Sequence, residues 1–306
     1  MTSHWPQPHA VRAPAPRQAG ARSGRFELAL SRHGARSHIG RQYVSYPFHM
    51  TRPFALDAAI PSLLTVYQQS SSGGLYRDDR LASRFDIGAQ AACHVTTQAA
   101  TVVHDCHGQP AQQTTEIVLE EDAFLALTPD PLVLFPGAAC SSVTQARLAP
   151  GAVLLLSDAF ALHDPEGRGR AFARLKAKVD IRDADGRLLV RDNFDIAGLD
   201  IAGPDLAGPD LTGSDLAATT SPIGGWKVVS SFMLLGAPER LPTANELAAL
   251  GRAERQVVGI TALPNGAGWG VRCLAADAIA ARNIAESLFA CAVVAAFGQQ
   301  PVPRRK

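Results

Sequence analysis

Polar and apolar residues alternate along most of this chain. The pattern is clearest at 174–196, where Leu175, Ala177, Val179 and Ile181 interleave with Arg174, Lys176, Lys178, Asp180 and Arg182. Asp183-Ala184-Asp185-Gly186 then turns the chain back into Arg187–Arg191. Period-two alternation around a glycine-bearing turn predicts a β-hairpin with one wet face. From Arg25 to about Ile196 the remaining segments also read as strands. A Gly-Ala or Asp-Ala pair opens an apolar run at 122–123, 137–138 and 151–152, about every 15 residues, and 88–89 lies about two such units upstream. Regular short strands with Gly/Pro punctuation predict the coils of a stacked β architecture, with a sandwich as the alternative.

The pattern changes twice further on. Residues 198–222 repeat with period five, as in Asp205-Leu206-Ala207-Gly208-Pro209. The tract resembles a pentapeptide repeat, but so short a run cannot bury a core of its own, and a flexible insertion is the better reading. From Trp226 a strand candidate, Lys227–Leu235, precedes a short helix with Thr243 as N-cap and Glu246 three residues on. Gln256–Leu263 and Gly268–Leu274 read as strands, and Asp277 caps a helix that runs to about Phe297. The expected organisation is a disordered tail (1–24), a β domain (25–197), the insertion (198–222) and a C-terminal α+β module (223–300) packed on the β domain.

Composition narrows the function. The 306 residues carry 29 Lys plus Arg against 28 Asp plus Glu, a formal net charge of +1. That balance argues against nucleic acid and against an anionic membrane surface as partners. The five cysteines are an odd number, widely spaced and without a CxxC pair, which points to a reducing, cytoplasmic setting. The first 24 residues lack the apolar stretch of a secretory signal. The apolar run at 284–297, about 14 residues, is too short to cross a bilayer.

No GxxxxGK[ST], HExxH or GxSxG motif occurs. Two constellations remain. Cys93-His94 and His104-Asp105-Cys106-His107 bring imidazole and thiol together, ligands suited to Ni, Zn or Cu, although solvated loop histidines and a core Cys93 are the better reading. Asp78-Asp79 after a Ser/Gly loop, Asp158 at the end of an apolar run and Asp192 on the hairpin return are acids at strand ends. They are turn caps, or together they line a water-filled cation path.

Several segments carry a resemblance. They are Thr51-Arg52-Pro53-Phe54, Ser72-Gly73-Gly74-Leu75-Tyr76-Arg77-Asp78-Asp79-Arg80-Leu81, Thr96–Thr101, Leu127-Thr128-Pro129-Asp130-Pro131, Phe135-Pro136-Gly137-Ala138, Gly167-Arg168 and Val271-Arg272-Cys273-Leu274. In their order and spacing the chain resembles the urease accessory protein UreD (UreH) family, from about Phe26 into the last helix. The resemblance implies a mainly β, helically stacked fold without enzyme activity and without a tightly bound cofactor. It implies UreF-like and UreG-like accessory proteins and apo-urease as partners, and transient Ni2+ passing through an internal tunnel. Asp79, Thr101, Asp158 and Asp192 match the tunnel positions, and Asp79→Ala is expected to lower urease activation while leaving folding intact. The chain departs from the family pattern where Arg77 and Asp78 replace a second glycine pair, and where Gly169-Arg170-Ala171 replaces a nearby Glu. Two rival readings stand beside this one: a metal-dependent enzyme using His104, Cys106 and His107, and an interaction scaffold with no metal passage.

Overall fold

The computed structural model describes residues 21–202, 223, 225–252 and 255–304. The period-five repeats from 203 to 222 and the first 20 residues therefore lie outside the described part. The early strands are β1 (Ser23–His33), β2 (Arg36–Val44), β3 (Phe48–Met50), β4 (Leu63–Ser70) and β5 (Arg80–Ile87). The middle of the chain forms β6 (Ala92–Thr96), β7 (Thr101–Val103), β8 (Ala111–Leu119), β9 (Phe124–Thr128), β10 (Leu132–Leu134), β11 (Ala139–Leu148) and β12 (Val153–Leu162). After these come β13 (Arg174–Asp183), β14 (Leu188–Ala197), β15 (Val228–Leu235), β16 (Gln256–Ala262) and β17 (Gly268–Ala275), with helices α1 (Gly198–Ala202), α2 (Ala244–Ala248) and α3 (Ala278–Phe297). The fold is mainly β and stacked, as the alternation predicted.

Two large sheets face each other. The first runs β14-β13-β11-β8-β5-β1-β2, and the second runs β16-β17-β15-β12-β9-β6-β4-β3. At their centres β5, β8, β11 and β13 pair in parallel, as do β4, β6, β9 and β12. The chain passes repeatedly from the second sheet to the first, and the short parallel strands β7 and β10 bridge one corner. The registers Ser83↔Thr115, Thr115↔Thr144 and Thr144↔Val179 make one coil roughly 30 residues long. The 15-residue spacing seen in the sequence is thus half a coil. The corner that repeats is Gln90-Ala91, Asp122-Ala123 and Gly151-Ala152, whose first residues have φ of 58°, 57° and 69°. The pair at 137–138 occupies a different corner, and 88–89 sits two residues early. Each alanine is buried, because stacked corners leave no room for a larger side chain.

Alternation sorts the interior. Inward residues of the two sheets form two apolar cores, one around Phe26, Phe85, Ile117, Leu125, Leu154 and Ile181, the other around Leu81, Ala111, Cys140, Phe160 and Leu175. The outer face of the second sheet makes a third core with α3, through Phe124, Leu155, Phe232, Ile284 and Leu288. Asp277 caps α3 by accepting from Ala280 N–H (2.8 Å), Gly298 ends it at φ 68°, and Thr243 with Glu246 forms the expected capping box of α2. At 20 residues α3 is longer than the apolar run suggested, and it is long and apolar enough to cross a membrane. Its buried face, Ala281, Ile284, Leu288 and Ala292, is committed to the third core.

The expected boundaries shift in two places. β1 opens at Ser23, inside the segment read as a tail, and β15 bonds β12 from Leu154 to Ala161. The C-terminal elements therefore extend the second sheet instead of forming a module laid on it. The chain beyond α3 is tied down by a buried cluster. Arg304 reaches Asp57 (2.7 Å), donates to His94 Nδ1 (3.4 Å) and lies over the Phe289 ring. The core should respond accordingly. Phe85 is fully enclosed between the sheets, and Phe85→Ala is expected to cost about 3–5 kcal/mol in denaturant unfolding.

Candidate functional site

The two cores between the sheets are separated by polar residues. On the first sheet the inward positions in register are Ser83, Thr115, Thr144, Val179 and Asp192. Gln113 and Ser142 flank this row. On the second sheet Asp158, Ser231 and Arg272 stand in register. Apart from Arg272, these positions have the parity of core residues two places away, so the strands aim them inward by geometry alone. Gln68 Nε2 donates to Ser83 Oγ (2.8 Å) across one end of the band. At the other end Arg272 Nη2 donates to Asp192 Oδ2 (2.7 Å).

A cavity of about 590 Å3 follows the band. Gln68, Ser83, Thr115, Thr144 and Asp158 line its depth. The exposed residues Ser71, Gln98 and Ala100 form its rim, so it opens to solvent beside the Ser/Gly loop. A smaller pocket of about 30 Å3 lies beyond, lined by Asp158, Asp192, Ser231 and Arg272. Asp158 belongs to both, at the partition between them. Its carboxyl is enclosed by protein yet faces the cavity, which leaves it poorly solvated but wet on one side. Burial, then the nearby Asp192 charge, push its pKa up to about 6, and Arg272 opposes the shift.

The predicted residues separate into three groups. Asp158 and Asp192 come together at the small pocket, and Thr101 lines the cavity near its mouth. Asp79 does not line it. It is 1% exposed and accepts from Arg22 Nε (3.0 Å), Arg22 N–H (3.1 Å) and Tyr76 N–H (2.8 Å), with Arg22 Nη2 on its other oxygen. Asp79 anchors the loop and the first strand. The neighbouring Asp78 takes φ 62° where a glycine was expected, a conformation aspartate tolerates.

His104, Cys106 and His107 diverge. His104 Nε2 meets Gly73 O (2.9 Å) while its ring stacks on Tyr76 at 4.3 Å. Gly74 makes this possible, since a Cβ there would lie 2.3 Å from Val102 O. The Cys106 thiol turns into the core toward the carbonyls of His104 and Ala139, both at 3.3 Å. His107 is exposed and pairs with Asp105 at 3.4 Å. Cys93 is a core residue with a thiol pushed up by burial. Among the described residues no three His, Cys, Asp or Glu side chains converge on a point where a metal could sit. The candidate Cys/His centre is not assembled among the described residues, because the turn at 105–108 points consecutive side chains in different directions.

Arg22, Gln68, Ser83, Thr115, Thr144, Ser231 and Arg272 were missed in the sequence. The legible signal was a hydrophilic residue at a core parity, as in Ala111, Gln113, Thr115, Ile117 and Leu119 of β8.

Two outcomes are expected. Asp79→Ala leaves Arg22 unpaired in a nearly closed site, so thermal or denaturant unfolding should show a loss of about 3 kcal/mol. For Asp158 the folded value of about 6 exceeds the ordinary 3.8, so protonation favours the folded state. That stabilisation is complete at about pH 4 and fades as pH rises through 6, by about 2 kcal/mol. Asp158→Asn should abolish this slope in unfolding measured from about pH 4 to 7, and should be the more stable form at the upper end.

Comparison with known proteins matches this arrangement to one family. The model of the UreD urease accessory protein family matches residues 22–306. Urease accessory protein UreD 1 of a Bradyrhizobium species is 39% identical over 279 residues, covering 91% of this chain and 93% of its own. Urease accessory protein UreD 1 of Methylorubrum extorquens is 39% identical over 295 residues, covering 96% and 95%. The protein of the same name from Pseudomonas syringae pv. syringae is 35% identical over 274 residues, covering 88% and 90%. With the stacked β fold and near full-length matches, the chain belongs to the UreD urease accessory protein family.

Proposed function

We propose that this protein serves urease maturation without catalysis of its own, as a scaffold that also hands Ni2+ onward through its polar band. The observation that carries the reading is the band of hydroxyls between two apolar cores that, interrupted at Val179, leads to Asp158 and Asp192. Ni2+ is cargo here and is held only transiently. Imidazole and thiolate would bind it tightly and trap it, whereas scattered carboxylate, hydroxyl and water ligands exchange faster. UreF-like and UreG-like proteins on one side and apo-urease on the other are the partners of this reading. Membership of an accessory-protein family supports that role. All five cysteines are free, which suits the reducing cytoplasm where such an assembly would work.

Asp158→Asn keeps the shape of the site and removes its charge. In cells with limiting nickel it should lower the nickel content and activity of urease about tenfold while co-purification with the UreF-like partner persists. Unchanged urease nickel would overturn the conduit and leave a docking role alone.

A further inference from the structure

We propose that Arg272 gates the polar band: held on Asp192, its guanidinium occupies a carboxylate that a passing divalent cation needs, and passage requires it to let go. The inference rests on the conduit reading above and adds a residue that neither the sequence pattern nor the acids themselves identified.

Position carries the argument first. Arg272 lies on β17 opposite Ser231, which in turn lies opposite Asp158 on β12. From the second sheet it crosses to Asp192 on β14 of the first, at 2.7 Å. The small pocket enclosed between them is lined by two acids and one base, and that base is Arg272. The remaining lining is apolar apart from Ser231, so among the described residues lining this pocket no other cation balances Asp158 and Asp192. Asp192 is thus the one acid at this end with a basic partner, while Asp158 feels the same guanidinium at longer range.

The chemistry of competition follows. A guanidinium and a divalent cation want the same carboxylate oxygens, and they repel each other. With Arg272 in place, one of the two carboxylates is engaged and part of the pocket's negative charge is cancelled, which disfavours a cation moving along the row. The latch is also weak enough to open. The Arg272 side chain is 52% exposed, so its head group can turn into water with little desolvation penalty, and such half-exposed pairs contribute little stability. Its cross-strand neighbour on β16 is Gly259, which has no side chain to pin the guanidinium or fill the space beside it. Gln68–Ser83, at the far end, is a neutral bond that opposes no cation. The gate therefore sits at one end of the band only.

Equilibrium dialysis of the purified full chain against Ni2+ tests the gate. Arg272→Gln should bind Ni2+ about tenfold more tightly than the parent, because one positive charge has left the pocket. Arg272→Lys keeps a cation and should behave like the parent. Adding Asp192→Asn to Arg272→Gln should erase the gain. A gain that appears and disappears in this order supports the gate. Unchanged Ni2+ affinity in Arg272→Gln, or a gain that survives Asp192→Asn, overturns it. Arg272→Met gives the same reading with the stem retained, should the glutamine variant fail to fold. Failure of the gate is distinguishable from failure of the conduit. The first shows in dialysis of the Arg272 variants, the second in urease nickel with Asp158→Asn.

Discussion

A hydroxyl or carboxyl buried between β-sheets raises the free energy of the fold unless it meets a partner or water. This protein sets several half-buried in one band, Ser83, Thr115, Thr144 and Asp192 on one sheet with Asp158 on the other, where two pockets run along them. The stacked coil makes that tolerable. Register repeats from coil to coil, so one polar position per strand becomes a row instead of scattered defects. The row keeps its own cavity, and apolar cores close on both sides of it. Neither core could extend through the middle without drying out Asp158.

Much of the fold was legible because alternation is a local signal. The hairpin at β13 and β14, the capping box of α2 and the Asp277 cap of α3 depend on residues close in sequence, and each appears where the pattern placed it. The coil length was misread because it is a tertiary property. Gly and Asp mark left-handed corners of two different kinds, and sequence alone does not say which corners stack. The site was legible only in part. Asp158 and Asp192 stood out as acids beside an apolar run and on the hairpin return, although both lie in mid-strand, and their meeting depends on how the sheets face each other. Asp79 looked like a site residue because it follows a Ser/Gly loop. The partner that engages it, Arg22, lies 57 positions away in a stretch read as tail.

The histidines teach a related lesson. Proximity in sequence put His104, Cys106 and His107 together, yet a tight turn separates them in space. His94, read with the same cluster, instead sits in a buried group with Arg304, Phe289 and Thr128. The stacked architecture is read from the sheets themselves, and family membership at 39% identity does not say which acid plays which part. Here Asp130 and Asp158 line the cavity and Asp192 joins Asp158 at the small pocket, while the acid of the Ser/Gly loop clasps the first strand.

The sheets also change character in one place. Up to β13 the central strands pair in parallel; β14 then turns back beside β13, and β15 runs antiparallel to β12. β14 lies at the open edge of one sheet and β15 inside the other, and the two are not paired, so no ladder depends on the spacing between them. The corners at Gln90, Asp122 and Gly151 are different, because each joins strands whose registers are shared with the neighbouring coils, and a residue added there would shift a ladder.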